Sequence, residues 1–192
     1  MMFHEFSHRH TPCTVNGLPE AVILSRGSSG SSQFGRESDY IGRFAPESTV
    51  LPGALIETGE TFLVCSLRPT PDRDKYCGMV KTNMIVKVQR YRQQYDENVN
   101  PIGDPEFLDI ETEVETFLRY VTGQLRQEEP GLLPTSTHLI RLQNTIDVRR
   151  PSDPSLLGPD RIVLNGRGYQ VDAIDDIQFP GLYQIQLSED LR

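Results

Sequence analysis

The chain has 192 residues, 27 acids against 19 bases and a net charge of −8. That balance argues against a protein that grips nucleic acid, whose affinity comes from Lys and Arg releasing counterions from phosphates. Apolar residues make up 36% and Trp is absent, so the core per residue is thin and contacts between copies are expected to carry part of the stability. No run approaches the roughly 20 apolar residues of a membrane-spanning helix, and Met1 to His8 lacks a signal-peptide core. Three cysteines without framework spacing fit reduced thiols in a cytoplasm.

Residues 1–36 predict a loosely held arm, with a short strand at Ala21–Leu24 and a flexible Gly/Ser linker at Arg26–Ser32. The linker lacks the Gly-Lys-Ser/Thr ending of a phosphate loop, so no nucleotide site is expected. His4, His8, His10 and Cys13 form one cluster of metal-ligand residue types. They would surround zinc only if the arm ordered, and no second ligand group stands at a matching spacing. Neither a metal nor a cofactor is expected.

Residues 37–79 predict a β-hairpin lobe, with the hairpin at Val50–Leu67 and a proline-broken loop at Arg68–Asp74. Residues 80–192 predict a β-barrel. Met79–Tyr91 reads as one long strand with Met84, Val86 and Val88 on one face, and Gln93–Pro105 as a turn or loop. From Phe107 to Tyr120, Leu108, Ile110, Val114 and Leu118 alternate with Asp109, Glu111, Glu113 and Glu115. Period two predicts a strand that gathers the four acids into one row, where a helix would smear them around its axis. The row has three readings: paired carboxylates for acid–base work or Mg²⁺, a solvated strand face, or, in a ring of subunits, a negative sleeve past which DNA slides without sticking.

Gly123–Thr137 predicts a breaker-rich loop whose tip, Pro130, Gly131, Leu132, Leu133 and Pro134, is apolar. His138–Arg149 alternates as a half-buried antiparallel strand, Pro151–Pro159 turns the chain, and Leu157–Ile174 is a hairpin around Asn165 and Gly166, the dipeptide favoured where both turn residues need positive φ. Tyr183–Leu187 closes the set. The hairpin at Leu157–Ile174 has a degenerate twin at Val50–Leu67. Aligned without a gap, Pro52 meets Pro159, Gly59 meets Gly166 and Val64 meets Val171, while Leu55, Ile56, Phe62 and Leu67 meet Ile162, Val163, Tyr169 and Ile174. The chain is therefore expected to be all-β, with two related β-units: a small barrel or sandwich over 80–192 and an additional N-terminal β-rich lobe or extension over 37–79, with long flexible arms.

No catalytic constellation emerges. There is no Gly-x-Ser-x-Gly turn, Cys65 falls inside a hydrophobic hairpin, nothing near Cys77 lowers its pKa in an identifiable way, and His138 stands alone before a strand. An enzyme is not expected.

Lys81–Arg90, the polar loop at Tyr95–Asn100 and the hairpin Gly158–Val171, with its Asn165, Gly166, Tyr169 and Val171 as fold markers, resemble the head-closure, or stopper, proteins of tailed bacteriophages. Pro159 interrupts the Gly-Asp pair of that family's hairpin. The resemblance covers roughly residues 80–190 and implies a β-barrel that assembles as a ring, typically of six subunits. Such a ring lies beneath the portal and its adaptor, closes the DNA-filled capsid and carries the tail or a tail-terminator protein. A loop between barrel strands blocks the channel until ejection, and the matching position here is Gly123–Thr137. The resemblance further implies a virion component assembled in the host cytoplasm, in transient non-specific proximity to double-stranded DNA and away from membranes. The alternatives are a head–tail adaptor or tail-terminator ring and, in a different class, an OB-like single-strand-binding module, which should show basic grooves with aromatic platforms.

Overall fold

In the computed structural model, residues 2–27 and 39–192 are described. Most of the expected Gly/Ser linker lies outside the described residues. A short helix α1 (Met2–Glu5) and a 3-10 turn (Ser7–Arg9) precede β1 (Thr11–Val15), β2 (Leu18–Arg26), β3 (Asp39–Phe44), β4 (Leu55–Glu57), β5 (Thr61–Pro69) and β6 (Lys75–Lys81). These six strands close a barrel in the order β1-β2-β3-β6-β5-β4. Then follow β7 (Met84–Tyr95), β8 (Pro101–Tyr120), helix α2 (Gly123–Glu128), β9 (His138–Gln143), β10 (Arg161–Leu164), β11 (Arg167–Asp175) and β12 (Leu182–Glu189). They close a second barrel as β10-β11-β12-β9-β8-β7. Counted from its own first strand, each barrel has the same circular order: first, second, third, sixth, fifth, fourth. The fold is all-β, as the sequence predicts.

The twin hairpins hold equivalent places, as the fourth and fifth strands of their barrels, but the gapless alignment is one residue out before the turn. Ile56 lies opposite Phe62 and Ile162 opposite Tyr169, so Ile56 matches Ile162 rather than Val163. The first hairpin turns over Thr58–Glu60, whereas the second uses only Asn165 and Gly166, at φ 47° and 79°, the pair of positive values of a type I′ turn. After the turn the alignment holds. The register slips between Val64 and Ser66 in β5 and between Val171 and Ala173 in β11, so a β-bulge sits at the same step of both fifth strands. The first hairpin of the first barrel uses the same device as β10 and β11: β1 and β2 turn over Asn16 and Gly17, at φ 48° and 81°.

Residues 1–83 with 142–144 and 176–183 form one compact unit, and 84–141 with 145–175 and 184–192 form the other. The first barrel is filled by Val15, Val22, Phe44, Ile56, Phe62, Val64, Cys77 and Met79. Strands β1 and β2 thus lie within the span expected to be a loose arm; Thr-Pro-Cys-Thr-Val disguises a strand because Pro12 and two threonines dilute its buried Cys13 and Val15. The long strand expected over Met79–Tyr91 is two strands, broken where Thr82 bonds back to the Thr61 carbonyl through its N–H (2.9 Å) and its hydroxyl (3.2 Å). The expected half-buried strand at His138–Arg149 ends at Gln143, and residues 139–142 are buried on both faces. Leu139 is covered by Val121, Leu125 and Leu132, and the Arg141 guanidinium donates to Gln184 Oε1 at 2.7 and 2.9 Å.

Candidate functional site

The second unit carries a long β-ribbon. Strands β7 and β8 pair from Met84 opposite Thr116 to Tyr95 opposite Pro101, although the sequence predicts a turn or loop over Gln93–Pro105. β10 holds β7 only at Lys87–Gln89, and β9 holds β8 only at Phe117–Tyr120. Beyond those contacts no other strand among the described residues pairs with the ribbon. Its outer part is exposed on both faces, which is why no apolar alternation announces it.

Asp96 staples the tip. Its Oδ1 accepts from the N–H groups of Asn98 (2.8 Å) and Asn100 (2.7 Å), and its Oδ2 from the Asn100 side chain (3.0 Å). The Asn100 bonds hold this carboxyl below its ordinary pKa. The tip also exposes Tyr95, Val99 and Ile102, with Val99 76% accessible at φ 63°. A β-branched residue in the left-handed region is strained, and no burial offsets that strain here.

The root of the ribbon is clamped. Arg90 donates from Nε to Asp160 Oδ1 (2.9 Å), from Nη2 to Asp160 Oδ2 (3.0 Å) and from Nη1 to Asp147 Oδ2 (2.9 Å). The Arg149 backbone N–H closes on Asp160 Oδ2 at 2.9 Å, and Asp160 is fully buried. These bonds raise the Arg90 pKa and lower that of Asp147. On the other strand, the Arg161 guanidinium lies 3.4 Å from the centroid of Phe107, which meets Tyr91 edge-on at 5.5 Å. Arg161 also donates to Asp190 Oδ2 (2.7 Å), as does Arg192 (2.9 Å). Burial of Asp190 opposes ionisation, yet the bonds from Arg192 and Arg161 prevail and hold its pKa well below the usual range. The sequence treats Gly158–Val171 as a fold marker only; its Asp160 and Arg161 are the anchors of the ribbon.

The acidic row expected at Asp109, Glu111, Glu113 and Glu115 does not form as one row. The strand is present, but its register slips between Val86 and Val88 and again between Val88 and Gln89, with Glu113 at φ 58°. Asp109 stands opposite Gln89 and Glu115 opposite the exposed Ile85, whereas Glu111 stands opposite the buried Val88. Each bulge inserts a residue and reverses the alternation beyond it.

The segment Gly123–Thr137 is a latched element rather than a free loop with an apolar tip. Thr122 caps α2 by accepting from the Leu125 N–H, and Leu125 is buried with Leu132 packed against it. Arg126 donates to the carbonyls of Leu133 (2.8 Å) and Ser136 (2.6 Å), while Gln186 accepts from the Leu133 N–H (2.8 Å) and donates to the Gly131 carbonyl (3.2 Å). Arg119 pairs with Glu129 at 3.5 Å. Gly123, Pro130 and Pro134 bound a segment held at both ends; of its three leucines, Leu125, Leu132 and Leu133, only Leu133 is exposed.

His4, His8, His10 and Cys13 do not gather into one ligand set among the described residues. Cys13 points into the first barrel, where burial, helped by the charge of Glu20, pushes its thiol up to about 11. His10 stacks on Phe3 at 4.1 Å and its Nε2 meets the Phe3 carbonyl at 2.9 Å. Among the described residues no three His, Cys, Asp or Glu side chains are grouped to hold a metal ion. Burial pushes Cys77 up to about 12 against the pull of Lys75. His138 contacts its chain neighbour Thr137, whose hydroxyl donates to the Leu187 carbonyl. A groove of about 400 Å³ beside Phe6, Arg9, Ile23 and Tyr76 opens on the first unit. No helix among the described residues is long and apolar enough to cross a membrane.

No protein-family model matches the chain, and no curated protein matches it.

Proposed function

We propose that this chain is a structural subunit of a tailed-bacteriophage neck. Copies form a ring, six by analogy with stopper proteins, that sits below the portal and adaptor, closes the DNA-filled capsid and receives the tail. The observation that carries the reading is the ribbon. A two-stranded hairpin is at best marginally stable in water by itself, yet this one is clamped at its root by Arg90 and Asp160 and leaves its strained, apolar tip exposed. Such an investment in a stiff arm suits contact with other protein subunits better than turnover of a small molecule.

In this reading the free reach toward the channel belongs to the ribbon tip, Asp96–Asn100, and the latched segment Gly123–Thr137 forms wall. The acids of β8 keep DNA from adhering, since like charge repels the phosphates.

The test is negative-stain imaging and mass photometry of the purified chain mixed with its cognate portal and adaptor. A docked ring below the portal is the expected result. A ring that docks only on the tail supports the tail-terminator alternative. A monomer that binds single-stranded oligonucleotide tightly and ignores the portal overturns the proposal in favour of the OB-like alternative.

A further inference from the structure

The ribbon is electrostatically two-sided. β7 carries Lys87, Arg90 and Arg92 and no acid, whereas β8 carries Asp104, Glu106, Asp109, Glu111, Glu113 and Glu115 against the single Arg119. Arg90 is engaged by Asp160 and Asp147, and Lys87 lies 3.7 Å from Asp109, so Arg92 is the base that the outer edge of β7 presents. Both strands also have free backbone edges among the described residues: β7 beyond Gln89, and β8 before Phe117. Unpaired edges of this length are templates for further strands.

We propose that the occupant of these edges is a second copy of this chain, with the β7 edge of one ribbon, Arg90–Tyr95, laid antiparallel against the β8 edge of the next from Glu106 inward. This deepens the ring reading above and rests on it. The charge pattern selects the arrangement. A two-fold contact would set β8 against β8 and bring acids opposite acids, which is destabilising across a strand pair, or β7 against β7 and bring the two Arg92 side chains together with no acid from either copy. Only the head-to-tail contact meets opposite charge, and it leaves one edge of each kind for the next copy. Because β7 and β8 run in opposite directions within a ribbon, copies related by rotation about one axis present antiparallel neighbours without any reversal. Closure of the ring then joins the ribbons into a collar with no edge left. Pro101 and Pro105, which offer no N–H, and Gly103 at φ 71° spoil the β8 edge at its outer end. They confine the pairing to the acidic stretch below them.

The test uses two full-length variants, Gln94→Cys on β7 and Glu106→Cys on β8, both at exposed positions. Cys13, Cys65 and Cys77 are buried and stay silent to a short bismaleimide cross-linker. The mixture of the two variants is expected to give cross-linked dimers that neither variant gives alone. Self-cross-linking of either single variant would reveal a two-fold contact and overturn the proposal. So would the absence of cross-links in every sample while mass photometry still records rings, a result that leaves the ring reading standing. If no assembly larger than a monomer forms, alone or with portal, the ring reading falls too.

Discussion

Removing Asp160 tests the idea that the ribbon is held at its root. In Asp160→Ala, Arg90 loses two bonds to a fully buried carboxylate and the Arg149 N–H is left unpaired inside. Breaking a buried ion pair from one side costs about 3–5 kcal/mol. Asp147, which is half exposed and keeps its 2.9 Å contact with Arg90, retains part of the partnership, so the loss belongs at the lower end, about 3 kcal/mol. With a urea slope of about 2 kcal/mol/M, the midpoint followed by circular dichroism should fall by about 1.5 M. Hydrogen exchange should quicken at residues 90–95 and 101–108 more than in the first barrel. Asp160→Asn preserves the shape and should lose roughly half as much, and the cost of Asp160→Ala should shrink in an Arg90→Met background because no buried cation is then stranded. A midpoint unchanged by Asp160→Ala, or additive effects in the double variant, would refute the clamp.

Other outcomes follow from the same geometry. Asp190 is ionised more readily in the native state than in the unfolded chain, so its contribution to stability is complete above about pH 4 and disappears as pH falls toward its native value; Asp190→Asn should flatten that part of the acid unfolding profile. The three buried thiols should be silent to Ellman's reagent in buffer and all react in urea, and a thiol that reacts in buffer would contradict the packing around it. Arg126→Ala removes two bonds to carbonyls and should cost about 1–2 kcal/mol while opening residues 126–136 to limited proteolysis; an unchanged digest would show that Gln186 holds the segment unaided. If β8 lies along the channel, replacing Asp109, Glu111, Glu113 and Glu115 by Lys should slow DNA ejection from assembled particles, and unaltered ejection would place the strand elsewhere.

What the sequence revealed depended on whether a residue's neighbours share its signal. The fold class and the twinned hairpins were legible because buried alternation and Asn165-Gly166 are local cues. The same dipeptide at Asn16-Gly17 opens a hairpin of the same type, but Pro12 and Pro19 interrupt the alternation on either side of it, so local cues alone predict an arm. The outer ribbon carries the sequence signal of a loop because, with both faces in water, its residues answer to no core. The acidic row failed for a different reason: alternation predicts one face only while the register is regular, and two slips along β8 depend on the partner strand. Local sequence places Leu132 on an apolar loop tip because nothing near it reports that Leu125 and Leu139 wait to receive it. Nor does the spacing of Arg90, Asp147 and Asp160 along the chain hint that they meet.

The short turn at Asn16-Gly17 and the long ribbon occupy the same station in two copies of one design. The first barrel closes this hairpin with two residues, and the second extends it by the length of the ribbon. The ribbon is in that sense an accessory grafted onto a finished scaffold, and a natural template exists for pruning it: cut back to two residues, the second barrel should still close, bereft only of its outreach.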